Sequence, residues 1–321
     1  MRRLGEQMQR KQATLVILAT FLAACASQPG VETVDDRARD LEPELPSADA
    51  SAGVDEVLAL VERGSETWDE SCDHANAEGL CLEFVLPKED PGRCGAPVLG
   101  DVVVHARDVD AAKAAQADFA EALELALDLE TPDDETLRMR YKSALATARL
   151  AQADAKLEAY FGIDAPTDVD FTVEEWKRDS GVPKWETEYA EQLDKKNASM
   201  QQFKDYFEAK SRAGEEIMKE FASVKQFGDV EVVLRAALRT SWSSVHFHDQ
   251  MTSFEIPVSI RGKEEMRNAY CGALADQAER PREIGVAAAV YCREKANEAG
   301  FEGGVVQTCA ELLAKIEPTS K

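Results

Sequence analysis

The strongest helical signal in the chain lies at residues 185–224, which read WETEYAEQLDKKNASMQQFKDYFEAKSRAGEEIMKEFASV. Apolar residues return every three or four positions there, which places them on one face of an α-helix. That face holds Trp185, Tyr189, Leu193, Met200, Phe203, Phe207, Ile217, Phe221 and Val224. One helix over these residues would be roughly 60 Å long, with Gly214 as a point where it softens. An aromatic stripe of this kind predicts a face packed in a core rather than a ligand-binding surface.

The residues that follow predict four more helices. Gly228-Asp229 ends the long helix and caps the next one, which runs as far as Ile256-Pro257. The remaining three are expected around residues 263–279, 282–299 and 304–316, with Gly300 as a stop.

The residues before the long helix predict a helical hairpin. Residues 110–130 are rich in Ala and Leu, which are strong helix formers. Thr131-Pro132-Asp133-Asp134 then supplies a cap, a first-turn proline and acids at the amino end of a second helix, which ends at Gly162. The two helices predict an antiparallel pair with small residues at its seam. We therefore expect an all-α fold of successive antiparallel helical hairpins over residues 109–321.

The segment at residues 54–108 gives mixed signals. Its first part predicts a helix whose apolar face holds Val54, Val57, Leu58, Val61, Trp68 and Cys72. Residues 82–100 contain the prolines and glycines of a loop, which we expect Cys81 and Cys94 to clasp. Residues 101–105 are either a short strand or the start of a helix.

The first 24 residues have the layout of a secretory signal. Residues 1–12 hold four basic residues against one acid, and an apolar run follows from Ala13 to Ala24. Twelve helical residues cover roughly 18 Å, which is too short for a hydrocarbon core of about 30 Å. The segment therefore predicts export and not a transmembrane helix.

The end of this run, Leu22-Ala23-Ala24-Cys25, resembles the lipobox of bacterial lipoproteins. The resemblance implies cleavage before Cys25, a lipid on its sulfur and acylation of the new amino terminus, which together give stable anchoring. An ordinary secretory signal with a chance cysteine is the alternative. In that family an aspartate after the cysteine retains the protein in the inner membrane. Ala26 and Ser27 stand here, so the resemblance implies the outer membrane, with the protein facing the periplasm.

Residues 25–53 are acidic, contain proline and lack an apolar period, so they predict a disordered tether. The whole chain has a formal net charge of −24. Such a charge repels nucleic-acid backbones and anionic head groups, so we expect no nucleic-acid partner. It favours a protein partner with basic patches.

A series of short elements follows within residues 185–316. They are the F-x2-V element ending at Val224, Arg235-Ala-Ala-Leu-Arg239, Phe254-Glu-Ile-Pro257, the helix around Tyr270, Tyr291-Cys292-x3-Ala296 and Cys309-x2-Leu312. This series, with the looser match of Trp68-x3-Cys72, is similar to tetratricopeptide-like envelope proteins of myxobacterial type. The resemblance implies a helical-repeat fold and protein–protein interaction, and it supplies no catalytic residue. A strict 34-residue repeat is not visible.

If Cys25 carries lipid, six of the seven cysteines remain, an even number that favours disulfides in an exported protein. They are Cys72, Cys81, Cys94, Cys271, Cys292 and Cys309. Three lie near each end, so a third bridge must join the two ends, or two thiols stay free. Cys292 and Cys309 are the pair expected first, because they would lie on adjacent antiparallel helices; two buried thiols are the alternative. The pairing of the other four stays open.

Two clusters raise the question of a metal site. His246-Phe-His248-Asp249 is the sharper one, but histidines two residues apart lie about 200° apart on a helix. Because we place them near a helix end, packed or solvated histidines are the preferred interpretation. The acidic run Asp168, Asp170, Glu174 and Glu175 lacks the glycine and spacing of an EF-hand, so it predicts an acidic loop.

The common hydrolase, phosphate-binding and dinucleotide-binding motifs are missing from the sequence. We therefore expect no enzyme, no catalytic residue and no cofactor. The leading hypothesis is a lipid-anchored, non-catalytic scaffold that binds another envelope protein along helical surfaces. The alternatives are an envelope enzyme without a recognisable motif and a small-ligand or metal-binding lipoprotein that uses His246 and His248.

Overall fold

The computed structural model describes residues 48–86, 90–171 and 185–316. All of them belong to one compact unit that spans residues 46–321. The predicted signal, Cys25 and most of the predicted tether lie outside the described residues.

Seven α-helices and one two-stranded ribbon make up the regular structure of the described ranges, apart from two short 3-10 turns. The helices are α1 (Ala48–Glu70), α2 (Val109–Leu125), α3 (Glu135–Phe161), α4 (Trp185–Val224), α5 (Val230–Thr252), α6 (Glu264–Ala299) and α7 (Gly304–Ile316). Strands β1 (Leu82–Val85) and β2 (Asp101–Val104) pair antiparallel. The predicted all-α class is confirmed, and so is the single long helix α4.

Successive helices run antiparallel. Between α3 and α4, Arg149 donates to Ser223 at 2.9 Å, while the carbonyl of Tyr160, three turns later on α3, accepts from Lys210, which lies earlier on α4. Between α5 and α6, Ser241 donates to the Gly285 carbonyl at 2.7 Å. At the other end of that pair, Tyr270 of α6 donates to the backbone carbonyl of residue 255, just beyond α5, at 3.2 Å. The predicted helical hairpins are therefore confirmed.

Aspartate side chains cap three of the helices. Asp134 and Asp229 accept from the backbone N–H groups of Leu137 and Val232, and Asp108 caps α2 in the same way. Each carboxylate satisfies an N–H that has no partner inside its helix and stabilises the positive end of the helix dipole. Gly228, which precedes one cap, has a φ of 75°, a left-handed conformation that favours glycine.

Helix α6 corrects the prediction of two helices at 263–279 and 282–299. It runs unbroken through Pro281, although a proline inside a helix costs about 3 kcal/mol because it removes a hydrogen bond and crowds the preceding turn. Contacts on both sides of the proline hold it in place. Leu274 and Ala278 are buried before Pro281, and Gly285 is buried after it.

Small residues let the helices approach closely. Ala115 and Ala122 of α2 and Ala148 of α3 are fully buried at the predicted small-residue seam. A Cβ on Gly285 would lie only 2.6 Å from Val245 Cγ2, so α5 and α6 touch nearly backbone to backbone there. Their packing therefore depends on the absence of a side chain.

The amino-terminal segment differs from its prediction in two ways. Helix α1 begins at Ala48, inside the predicted tether. Residues 82–85, expected to belong to a loop, form β1, and residues 101–104 form its partner β2. The ribbon packs inward through Phe84, whose ring lies 5.3 Å from that of Trp242 on α5.

Three disulfides join the described cysteines. The structure pairs Cys292 with Cys309, the pair expected first. Cys72 is bonded to Cys81, and Cys94 is bonded to Cys271, so the predicted clasp of residues 82–100 by Cys81 and Cys94 is wrong. The reason is the short turn after α1, which brings Cys81 back to the end of that helix and leaves Cys94 beside α6. One bridge is local to each end, and the third joins the two ends.

Candidate functional site

The amino-terminal part of α4 has an apolar surface that stays exposed beside the other described parts of the fold. Farther along this helix, Ile217, Phe221 and Val224 are buried against α3 and α5. By contrast, none of the residues 188–198 is buried. We call residues 188–200 the α4 arm.

Three apolar side chains lie exposed along one face of the α4 arm. Tyr189 is 40% exposed, Leu193 38% and Met200 52%. We call these three residues the arm stripe. The sequence predicted that they would face the core, and this prediction is wrong for the arm although it holds for the end of α4. Hydrophobic spacing correctly identified which residues share a face of the helix. It did not show how far along α4 the neighbouring helix α5 covers that face.

The arm is exposed because its neighbour is shorter. Helix α4 has 40 residues and α5 has 23. The two meet through Tyr206, whose hydroxyl donates to Gln250 at 2.8 Å, and through Phe203, whose ring lies 5.5 Å from that of Phe254. Residue 254 lies just beyond the end of α5, so no part of α5 lies opposite the arm.

The loop between α3 and α4 supports the base of the arm. The Asp170 N–H donates to Ser199 at 2.9 Å, and Ser259 donates to the Asp170 carboxylate at 3.0 Å. The next ring, Phe171, packs on Phe203 of α4 and Tyr270 of α6, with ring centroids 5.8 Å and 6.1 Å away. Asp170 therefore links the loop to α4 and to the segment after α5. This structural role agrees with the prediction of an acidic loop.

Two further exposed apolar residues lie near this base. Met266 is 45% exposed and precedes Tyr270 by one turn of α6, just as Met200 precedes Phe203 on α4. Because α4 and α6 both run antiparallel to α5, both methionines lie on the same side of Phe171. Val258, next to Ser259, is 71% exposed. The surface near the base of the arm therefore carries further exposed apolar side chains.

A buried ion pair lies elsewhere, between the amino-terminal segment and α3. Arg107 donates twice to the Glu158 carboxylate, at 2.7 and 2.8 Å. It also donates to the backbone carbonyls of Trp68 and Gly79 and to the Ser71 hydroxyl. Its guanidinium carbon lies 3.7 Å from the centre of the Trp68 ring. All its donors are used within the fold, so this cluster is structural.

A second buried arginine has a similar role. Arg239 of α5 is 1% exposed, and its Nε donates to Asp154 of α3 at 2.5 Å. A further donor reaches the Glu78 carbonyl at 2.8 Å. Arg239 thus holds α5, α3 and the turn before β1 together. Arg239 lies in the Arg235-Ala-Ala-Leu-Arg239 run that carried the tetratricopeptide-like resemblance.

A fully buried lysine caps the end of α3. Lys210 Nζ donates to the carbonyls of Tyr160 at 2.6 Å and Ile163 at 3.1 Å. These groups lie at the negative end of the helix dipole, where a cation is favourable. Burial lowers the pKa of Lys210 to about 7, against an opposing effect of the Asp164 charge.

The two histidines considered as metal ligands, His246 and His248, have different surroundings. Helix α5 runs through both residues, and His246 is buried against the Phe161 ring, with centroids 4.7 Å apart. Burial, with a smaller contribution from the Lys210 charge, lowers the pKa of His246 well below its usual value. His248 instead lies beside Asp249, with Nδ1 3.1 Å from the carboxylate. The packed-histidine interpretation therefore describes His246 correctly.

The other acidic and histidine residues give no assembled site either. Asp168 lies 3.5 Å from Lys195 of the arm, and Glu174 and Glu175 lie outside the described residues. His74 and His105 approach each other, with ring centroids 4.9 Å apart, a contact that their spacing in sequence gave no sign of. Within residues 48–86, 90–171 and 185–316, no group of three or more His, Cys, Asp or Glu is arranged to hold a metal ion.

No helix in the described part of the chain is both long and apolar enough to cross a membrane. No family model, curated protein or solved structure matches the chain at a significant level. The lipobox and the tetratricopeptide-like resemblance therefore stay predictions. The arm stripe is an exposed apolar feature to which the contacts within the described fold give no structural role.

Proposed function

We propose that this chain is an envelope lipoprotein, anchored through Cys25, which acts as a non-catalytic scaffold for protein–protein interaction. The observation that carries the proposal is the exposed arm stripe. The anchor would hold the protein at the outer membrane, facing the periplasm, and the helical unit would bind a second envelope protein there.

The arrangement of the stripe is what distinguishes it from ordinary surface. Single exposed apolar residues are normal on soluble proteins. Tyr189, Leu193 and Met200 instead share one face of one helix, and Met266 and Val258 are exposed near the base of the arm. Contiguous exposed apolar surface is typical of interaction sites.

The net charge of the chain restricts the kind of partner that it can bind. A net charge of −24 attracts a protein with basic patches over long distances and accelerates the encounter. The same charge opposes binding to nucleic acids or to anionic lipid surfaces.

The buried titratable groups support a non-catalytic role. Lys210 is 0% exposed and donates to two backbone carbonyls, and His246 lies behind aromatic rings. Both groups have the low exposure of structural residues. A catalytic group has to reach a substrate.

The proposal is tested by crosslinking in the intact envelope followed by purification of the chain. We expect one protein in stoichiometric amount with the natural chain and its loss from the variant Leu193→Ser/Met200→Ser. Val109→Ser is the matched control, because Val109 is 78% exposed but lies on α2, away from the arm, and it should retain the partner. Absence of any partner under several conditions, together with tight metal retention after purification, would refute the scaffold and favour the metal-binding alternative.

A further inference from the structure

Four residues of the α4 arm stand at the positions of a seam between two helices. Tyr189, Leu193, Lys196 and Met200 are separated by four, three and four residues. This alternation is the spacing of the inward positions of a coiled coil. The three apolar residues are exposed, and Lys196 is half-buried between Leu193 and Met200.

A helix is the element that matches such a seam. Positions 189 to 200 cover roughly 16 Å, about three turns of a helix laid alongside. Two helices that meet through this spacing cross at about 20°, so the contact extends along the whole arm. An extended strand would meet a period of two residues, which the stripe does not offer.

Lys196 restricts which helix can bind. An ammonium group covered by apolar side chains is unfavourable unless a charged partner compensates for the lost hydration. A carboxylate opposite Lys196 supplies that compensation, whereas a lysine or arginine there adds repulsion. One polar residue within an apolar seam selects the partner in this way.

A second copy of the chain fits this seam poorly. Antiparallel pairing that sets Tyr189 against Met200 sets Lys196 against Leu193, and parallel pairing sets Lys196 against its own counterpart. Neither arrangement gives Lys196 an anion. Two molecules that each carry a charge of −24 also repel.

We propose that the arm binds an amphipathic helix of another protein, and that the apolar face of this helix carries one carboxylate opposite Lys196. This inference rests on the proposed scaffold function and names the element that the scaffold recognises.

The test uses the full chain and two synthetic amphipathic peptides about five turns long. Both have leucine at the seam positions; one has a central Glu in the seam, and its twin has Lys there. Binding is measured by fluorescence anisotropy. We expect the Glu peptide to bind about tenfold or more tightly than the Lys peptide. Non-specific attraction to the acidic chain works in the opposite direction, since the Lys peptide is the more basic one.

Variants of the chain test whether Lys196 and the arm stripe determine peptide binding. Lys196→Glu should reverse the preference, and Leu193→Ser/Met200→Ser should weaken both peptides about tenfold or more. Lys219→Glu makes the same charge change at an exposed position of α4 far from the arm, and it should leave the preference unchanged. Circular dichroism checks that each variant is folded.

The inference is overturned if neither peptide binds, if the natural chain prefers the Lys peptide or neither, or if Lys196→Glu does not reverse the preference. A stripe-dependent partner in the envelope experiment together with any of these outcomes would reject this inference alone. Absence of a partner in that experiment would reject the scaffold itself.

Discussion

Arg107→Ala is expected to destabilise the fold far more than Arg63→Ala, the same substitution in an exposed ion pair. The substitution leaves the Glu158 carboxylate, 9% exposed, without its cation. Breaking a buried ion pair by removing one partner costs about 3–5 kcal/mol. Glu158 still accepts from the Cys81 N–H at 2.7 Å, which keeps the expected loss within that range rather than above it. The Gly79 carbonyl also loses its Arg107 donor, whereas the Trp68 carbonyl still accepts from the Ser71 hydroxyl at 2.6 Å.

The matched control is Arg63→Ala. Arg63 also makes a two-pronged contact, with Asp118 at 2.7 and 2.8 Å, but its side chain is 58% exposed. Water compensates both charges once the contact is lost, so stability should stay close to that of the natural chain.

Urea unfolding of the oxidised chain measures both effects, as a change in transition midpoint at constant slope. Equal losses in Arg107→Ala and Arg63→Ala would show that burial of the Arg107–Glu158 pair does not determine its contribution. A change in slope for either variant would point to an altered unfolded or native state instead.

Lys210, Gly285 and Cys25 each give a further test. Lys210 has a pKa of about 7 in the folded chain and near 10.5 in the unfolded chain, so the unfolded chain binds more protons between these pH values. The free energy of unfolding should therefore rise with pH over this window, by up to about 5 kcal/mol. Urea titrations at several pH values should show this rise for the natural chain and not for Lys210→Met. Gly285→Ala should destabilise the fold by about 1–3 kcal/mol, because the added Cβ would meet Val245. Gly272→Ala, which has open space around it on the same helix, should stabilise the fold by about 0.5–1 kcal/mol. The opposite order of the two variants in thermal unfolding would contradict the close packing of α5 and α6. Cys25→Ala should release the chain from the membrane fraction, and an unchanged distribution in fractionation would refute lipidation.

The sequence predicted the helical architecture because its signals are local. The aromatic period of α4, the cap at Asp229 and the turn at Gly228 act within a few residues, and the structure has each of them. The start of α3 was predicted less well, because Asp134 is its cap and Pro132 lies before the helix rather than in its first turn. Pro281 gave no reliable boundary because tertiary contacts on both sides of it outweigh a local penalty.

Long-range partners could not be predicted in the same way. Cys81 bonds to Cys72 and not to Cys94, and the spacing of the cysteines is compatible with either pairing. Arg107 and Glu158 are 51 residues apart, and nothing local distinguishes them from the many other charged residues of the chain. Burial of Lys210 depends on where α3 ends beside it, which only the assembled fold determines.

The candidate site shows the same limit most clearly. Periodicity placed Leu193 and Ile217 on one face of α4, yet Leu193 is 38% exposed and Ile217 is 1% exposed. The difference comes from the length of α5, which ends before it reaches the arm. A hydrophobic pattern reports which residues share a face, and the neighbouring elements decide whether that face is core or interface.

Site-specific photocrosslinking in the envelope tests the scaffold most directly. A photoreactive residue at position 197 would flank the arm stripe, and one at position 198 would face away from it, since successive residues lie about 100° apart on a helix. Both positions are exposed. We expect one crosslinked protein from position 197, little or none from position 198, and loss of the first product when Leu193 is changed to Ser. Equal labelling from the two positions, or labelling that survives Leu193→Ser, would contradict the proposed scaffold function.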